Sequence, residues 1–208
     1  MKSFVLVFTL FLFSQVLFSL DKFELEAGGS FGGLVDGEQK DFFTSILKPS
    51  PTEFTYFGGN LNAKYFPVEY AGVVFGGTYF GSLTVQSQSS TSLTVLTLSS
   101  LEFGLATRFP LYQEDELKMT LNLNVGLNYS FFSYDSGFIS LVPSGYYLLD
   151  VGPALGFFVA PGVQFFSTSN IYFGISLKYS RMNGHISKSG TEFTGTYIVV
   201  PVVIGLAI

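Results

Sequence analysis

The chain of 208 residues contains no cysteine and no tryptophan, a single histidine, and charged side chains at only 12% of its positions. Without thiols it forms no disulfide and offers no thiolate for catalysis or zinc. One histidine, and no other cluster at metal-ligand spacing, leaves neither a metal site nor a cofactor to be expected. Ten Lys and Arg against fifteen Asp and Glu give a net charge of −5 and no basic patch, so nucleic acid is not an expected partner. Long apolar runs are scarce as well. The most apolar stretch beyond the first twenty residues, 151–163, is interrupted by Pro153, Pro161 and three glycines, which excludes a membrane-crossing helix of about 20 apolar residues there.

What the chain does have is apolar surface with little charge to balance it. Apolar residues make up 48% and aromatics 18% of the sequence, whereas a soluble domain carries about 25% charged residues. Exposed to water, such a surface is a solubility hazard. The apolar residues also alternate: Leu117, Met119, Leu121, Leu123, Val125, Leu127, Tyr129 and Phe131 are separated by Lys118, Thr120, Asn122, Asn124, Asn128 and Ser130, with Gly126 neutral. A period of two sustained this far describes a β-strand with one oily and one wet face, well beyond the usual length of about 5–6 residues. Crossing a hydrocarbon layer explains the length, because a tilted membrane strand needs about 9–11 residues in the core and some overhang.

Residues 1–20 read as a signal peptide: Lys2 gives a positive start, an apolar run covers 4–13, and Leu17 and Ser19 fit the cleavage positions. Residues 21–208 then form one domain. Strands are expected near 23–35, 54–66, 71–86, 95–111, 117–133, 149–166, 171–182 and 196–208, joined by connections that alternate between short and longer. This pattern predicts an all-β fold, a membrane-spanning antiparallel up-and-down β-barrel of eight strands with short periplasmic turns and longer outward loops. A bulge is expected near Ser99 and Ser100, because Leu96 and Leu98 fall out of phase with Leu101 and Phe103. A short helix is expected to start at Asp41 and lie over the mouth.

Charge placement sharpens the reading. With odd positions facing lipid in strands one to seven and even positions in strand eight, the only charge on the lipid face is Arg181, near a loop. The inward positions collect Glu24, Glu26, Asn60, Asn62, Lys64, Glu102, Arg108, Lys118, Asn122, Asn124, Asn128, Asp150, Gln164 and Lys178, a candidate polar network inside the lumen. Val199, Pro201 and Val203 on the last strand face the same interior and predict a dry, packed stretch. Tyr65, Phe109 and Phe165 toward the turns, and Tyr129, Phe131 and Tyr179 toward the loops, suit the two membrane interfaces. A soluble lipocalin-like carrier would invert this arrangement, with an apolar inside and a polar outside.

The whole region after residue 20 resembles the small eight-stranded outer-membrane barrels of the OmpA-, OmpX- and OmpW-like group. The most specific element is the end, where Ile198, Val200, Val202, Ile204, Leu206 and Ile208 alternate to the last residue, similar to the C-terminal signal that the barrel-assembly machinery reads. The resemblance implies the outer membrane of a Gram-negative-type bacterium, with outer-membrane lipid and that machinery as partners and an extracellular partner met through the long loops. An eight-stranded interior is only wide enough to be filled by side chains or to hold one small ligand. The expected function is therefore a structural or surface-interaction role with a lumen plugged by polar side chains. The alternative implied by OmpW-like proteins is a narrow channel for small or apolar solutes. A third reading rests on His185, Ser187 and Glu192, which faintly resemble the His-x-Ser motif of the lipid A deacylases and would make a serine esterase. Lys188 stands where that family has Asn, and a solvated loop histidine is the plainer account.

Overall fold

The computed structural model describes residues 22–46, 53–86, 92–114, 117–134, 153–166, 170–185 and 192–208. The expected signal peptide at 1–20 lies outside them. The strands are β1 (Phe23–Asp36), β2 (Glu53–Val68), β3 (Ala71–Gln86), β4 (Ser92–Glu114), β5 (Leu117–Tyr134), β6 (Ala154–Phe166), β7 (Ile171–Ser176), β8 (Lys178–His185) and β9 (Glu192–Ala207), with one helix, α1 (Glu38–Ile46). Consecutive strands pair antiparallel from β1 to β7 and from β8 to β9, and β1 also pairs with β9, which closes the sheet. Reciprocal hydrogen bonds between Phe23 and Ile208 complete the seam. β7 and β8 lie in succession between β6 and β9, so they form one stave and the ring has eight.

The break in that stave has a cause in the sequence. Pro161 on β6 and Pro201 on β9 both lack an N–H, and they flank the interruption at Leu177 from either side. A proline leaves a gap in a ladder. One bond spans the gap toward β6, from Leu177 N–H to the Pro161 carbonyl at 2.9 Å.

Period two sets which side of the wall each residue occupies. Even positions of β1, β2 and β4–β6 turn inward and odd positions outward, and the phase reverses in β9. The outer surface is a belt of exposed apolar side chains, among them Phe57, 72% exposed, Phe103, Leu127 and Ile204. Between the strand ends, the outward positions of the described residues carry one charge, Arg181. Polar side chains, including Glu24, Asn122 and Asn128, are buried within the ring. An apolar outside around a polar inside is the reverse of a lipocalin and fits acyl chains as the surrounding solvent. Rings gather at both rims: Tyr70 stacks on Phe109 beside the β2–β3 turn, and Tyr129 meets Phe131 edge-on toward the loops. At the turn, the neighbouring Glu69 carboxylate accepts a hydrogen bond from the Tyr70 phenol and raises its pKa, with the carboxylate charge adding to the effect.

Two expectations are corrected. No register shift occurs between β4 and β5 at Ser99 or Ser100, which face Phe131 and Ser130 in unbroken register. Leu96 and Leu98 keep the even phase and point into the lumen, and the nearby irregularities lie in the β3–β4 pairing, between Phe80 and Leu83 and between Leu83 and Thr84, whose partners are Leu96 and Thr94. The helix begins at Glu38, three residues before Asp41. It follows β1 almost directly because Gly37 turns the chain with φ of +105°, a conformation side chains resist, and its carbonyl accepts from Lys40 and Asp41. Thr194 on β9 pins this end: Glu38 N–H donates to Thr194 Oγ1, and Thr194 N–H donates to Glu38 Oε2 at 3.0 Å.

The lipid-facing belt yields a direct prediction. Leu127, near the middle of β5 and flanked by Phe103 and Phe157 on the adjoining strands, is expected to lose about 2–4 kcal/mol of stability as Leu127→Arg, the cost of a cation at the bilayer midplane. Urea unfolding in lipid vesicles measures it. A cost near zero would place Leu127 in water.

Candidate functional site: the barrel lumen

Among the described residues, the inward side chains form three layers. The layer at the turn end is built on Glu24 and Glu26 of β1, whose alternation aims both carboxylates inward. Lys64 bonds Glu26 at 2.5 Å and lies 4.0 Å from Glu24. Arg108 bonds Glu24 at 2.7 Å, donates its Nε–H to the Glu69 carbonyl and stacks over Phe66 at 4.1 Å. Asn62 and Gln164 donate to the same carboxylates, and the buried Tyr172 hydroxyl lies 3.1 Å from Glu24 and 3.0 Å from Glu26.

The middle layer centres on the ion pair of Lys178 with Glu102, bridged by the Thr78 hydroxyl, which donates to Glu102 at 2.7 Å and accepts from Lys178 at 3.0 Å. Asn128 donates to Ser180, and Ser130 donates to Ser100. A cavity of about 40 Å³ remains here, and Asn60, Asn122, Asn124, Pro201 and Val203 are among the residues that line it. The expectation of a dry, packed stretch on the last strand therefore holds for Val199, which is fully buried, but not for Pro201 and Val203, which wall the void.

The layer at the loop end is apolar. Leu34, Phe54, Tyr56, Leu96, Leu98, Met182, Tyr197 and Val199 form one cluster, and Phe43 of α1 inserts into it with 0% exposure. The Tyr197 hydroxyl donates to Gln39 of the same helix at 2.5 Å. Leu34, Leu96, Leu98 and Met182 all occupy even positions, so a list of inward polar residues leaves this layer out. The phase was the signal that would have found them, and it would equally have found Tyr172.

Of the expected polar set, Glu24, Glu26, Asn62, Lys64, Arg108 and Gln164 meet in the first layer, and Glu102 and Lys178 meet in the second. Lys118 stands apart at the turn end, 5.4 Å over the Phe166 ring. Asp150 lies outside the described residues. In the esterase reading, His185 and Glu192 face each other as backbone partners across β8 and β9, while Ser187 is outside the described residues. No grouping of His, Cys, Asp and Glu suited to a metal occurs among the described residues.

No family model matches the chain, and no curated protein matches its sequence. Solved structures do match. Neisserial surface protein A superposes with a TM-score of 0.51 at 11% identity, over 89% of this chain and 97% of that one. The outer membrane protein OprG from Pseudomonas aeruginosa gives 0.49 at 10% identity, over 89% and 94%. With a closed antiparallel ring of eight staves, an apolar belt outside and a charge-paired interior, the chain has the fold of the small outer-membrane β-barrels.

Proposed function

We propose that this protein resides in the outer membrane of a Gram-negative-type bacterium and has a structural or surface-interaction role, its barrel carrying the longer loops outward while its lumen is closed to solute flow. The observation that supports this reading is the stacking of paired and packed inward side chains in three layers among the described residues. Three carboxylates, Glu24, Glu26 and Glu102, are matched by three cations, Lys64, Arg108 and Lys178, with an apolar layer stoppered by Phe43 above them. A solute would have to displace paired buried charges and then cross the apolar layer at the loop end. Outer-membrane lipid is the partner that fits the exposed belt, and the alternating edge of β9 suits recognition by the barrel-assembly machinery. An extracellular partner would meet the loops.

Conductance in planar bilayers tests the closed lumen. The refolded chain is expected to give no stable unitary current. Reproducible unitary currents would replace this reading with a narrow channel for small or apolar solutes.

A further inference from the structure

The seam between β1 and β9 differs from the other strand pairings, because its partners are the first and last strands and no short connection tethers them. They meet by pairing alone, from Glu24 with Ala207 at the turn end to Asp36 with Thr196 at the loop end. Loop-closure entropy therefore favours fraying here more than between strands joined by a tight turn. At the turn end the reciprocal bonds of Phe23 and Ile208 finish the seam. At the loop end α1 finishes it.

The helix belongs to β1 by covalent connection and to β9 by contact. Gly37 alone separates it from β1. Thr194 exchanges hydrogen bonds with Glu38, and the Tyr197 hydroxyl donates to Gln39, 158 positions away in the chain. A Cβ at Gly37 would collide with the Thr194 carbonyl oxygen, and one at Gly195 would meet the Gln39 amide oxygen, so the two glycines let helix and strand lie this close. On β1, Lys40 donates to the Val35 carbonyl at 2.9 Å, where the register with β9 shifts between Leu34 and Asp36. Phe43 adds apolar contact in the cluster that holds Leu34 of β1 and Tyr197 and Val199 of β9.

We infer that α1 is a clasp across the closing seam: it docks once β1 and β9 have paired, and the loop half of the seam then opens only after the helix has left. The order follows from geometry. Thr194 and Tyr197 come within reach of Glu38 and Gln39 only when β9 lies beside β1, so docking cannot precede closure. A contact made in the closed state and absent from the open one stabilises closure by its own free energy. This role is independent of the closed lumen, since a clasped ring can surround a filled or an open interior.

Hydrogen exchange of the full chain in lipid nanodiscs tests the clasp, read by NMR at residues 31–36 of β1 and 196–200 of β9, with 96–101 of β4 as the reference. Phe43→Ala is expected to speed exchange in the seam by about tenfold or more and to leave β4 within about twofold of wild type. Leu96 and Leu98 share the cluster with Phe43, so β4 registers any general loosening from the lost ring. Gly37→Ala leaves the cluster intact but crowds Thr194, and is expected to speed the seam in the same way. Seam exchange unchanged in both variants would overturn the clasp and leave α1 a stopper only. Equal acceleration of β4 and the seam would overturn it in favour of a loosened core. Should neither variant refold, the wild type decides: seam amides are expected to exchange no faster than the helical amides of α1, and faster exchange would mean that the seam opens beneath a docked helix.

Discussion

Lys178→Met is expected to lower the free energy of unfolding by about 3–5 kcal/mol, the cost of removing one half of a buried ion pair and stranding the other. The pair is well inside the ring, with Lys178 at 4% and Glu102 at 6% exposure, so bulk solvent does not reach the carboxylate left behind. Thr78 bridges both groups and would keep only one of them. Phe158, whose ring lies 5.1 Å from the ammonium, would lose its cation. Adding Glu102→Leu to Lys178→Met is expected to recover most of the loss, because well-packed apolar residues often replace a buried ion pair without penalty. Recovery should be incomplete, since the Thr78 hydroxyl then has neither partner, at a cost of about 1–3 kcal/mol. Urea unfolding in lipid vesicles measures all three chains. If the single variant stays within about 1 kcal/mol of wild type, the value of an exposed pair, the layer is open to bulk water and the lumen is not closed there.

How much of this was legible follows from the solvent. When lipid lies on one side of a wall and a narrow interior on the other, every residue faces a binary choice, and one strand such as β5 is enough to set it. The placement of Glu24, Lys64, Glu102 and Lys178 and the solitary outward Arg181 followed from that choice. The errors arose where both sides are apolar. Leu96 and Leu98 looked misplaced only because apolar was equated with outward, and a bulge was invoked to restore a phase that had never been lost. Near the mouth the ring is capped by the chain itself, so the interior there is a small protein core and apolar residues belong in it. Taken singly, Pro161 reads as a helix breaker and Pro201 as an inward wall residue, while their joint effect on the stave between them depends on register, which one strand's sequence does not contain. The start of α1 was misjudged for a related reason. Asp41 has the chemistry of a helix cap, but the cap position is set by Gly37 and by Thr194, which is more than 150 residues away in the chain and adjacent only once β1 and β9 have paired.

Phe43→Ala is expected to release α1 from the mouth. Its ring is fully buried between Phe54, at a centroid distance of 6.0 Å, and Phe42, at 5.7 Å. Removing a buried phenylalanine costs about 3–5 kcal/mol when the space does not refill. Global unfolding cannot register more than the free energy with which α1 is docked, because a nine-residue helix can detach while the ring of strands stays closed. The larger signal is therefore local. Proteolysis within residues 38–46 should accelerate by about a hundredfold or more as the detached population grows, while urea unfolding of the barrel shifts less. The Glu38–Thr194 contacts are on the exposed rim, and surface contacts of that kind contribute too little to hold the helix alone. Asp41→Ala, on the exposed face of the same helix, supplies the control and is expected to leave both measurements near wild type. Equal protease resistance in Phe43→Ala and wild type would mean that the helix is held by something other than its ring in the apolar layer, and the stopper would have to be sought among Tyr56, Tyr197 and the leucines below it.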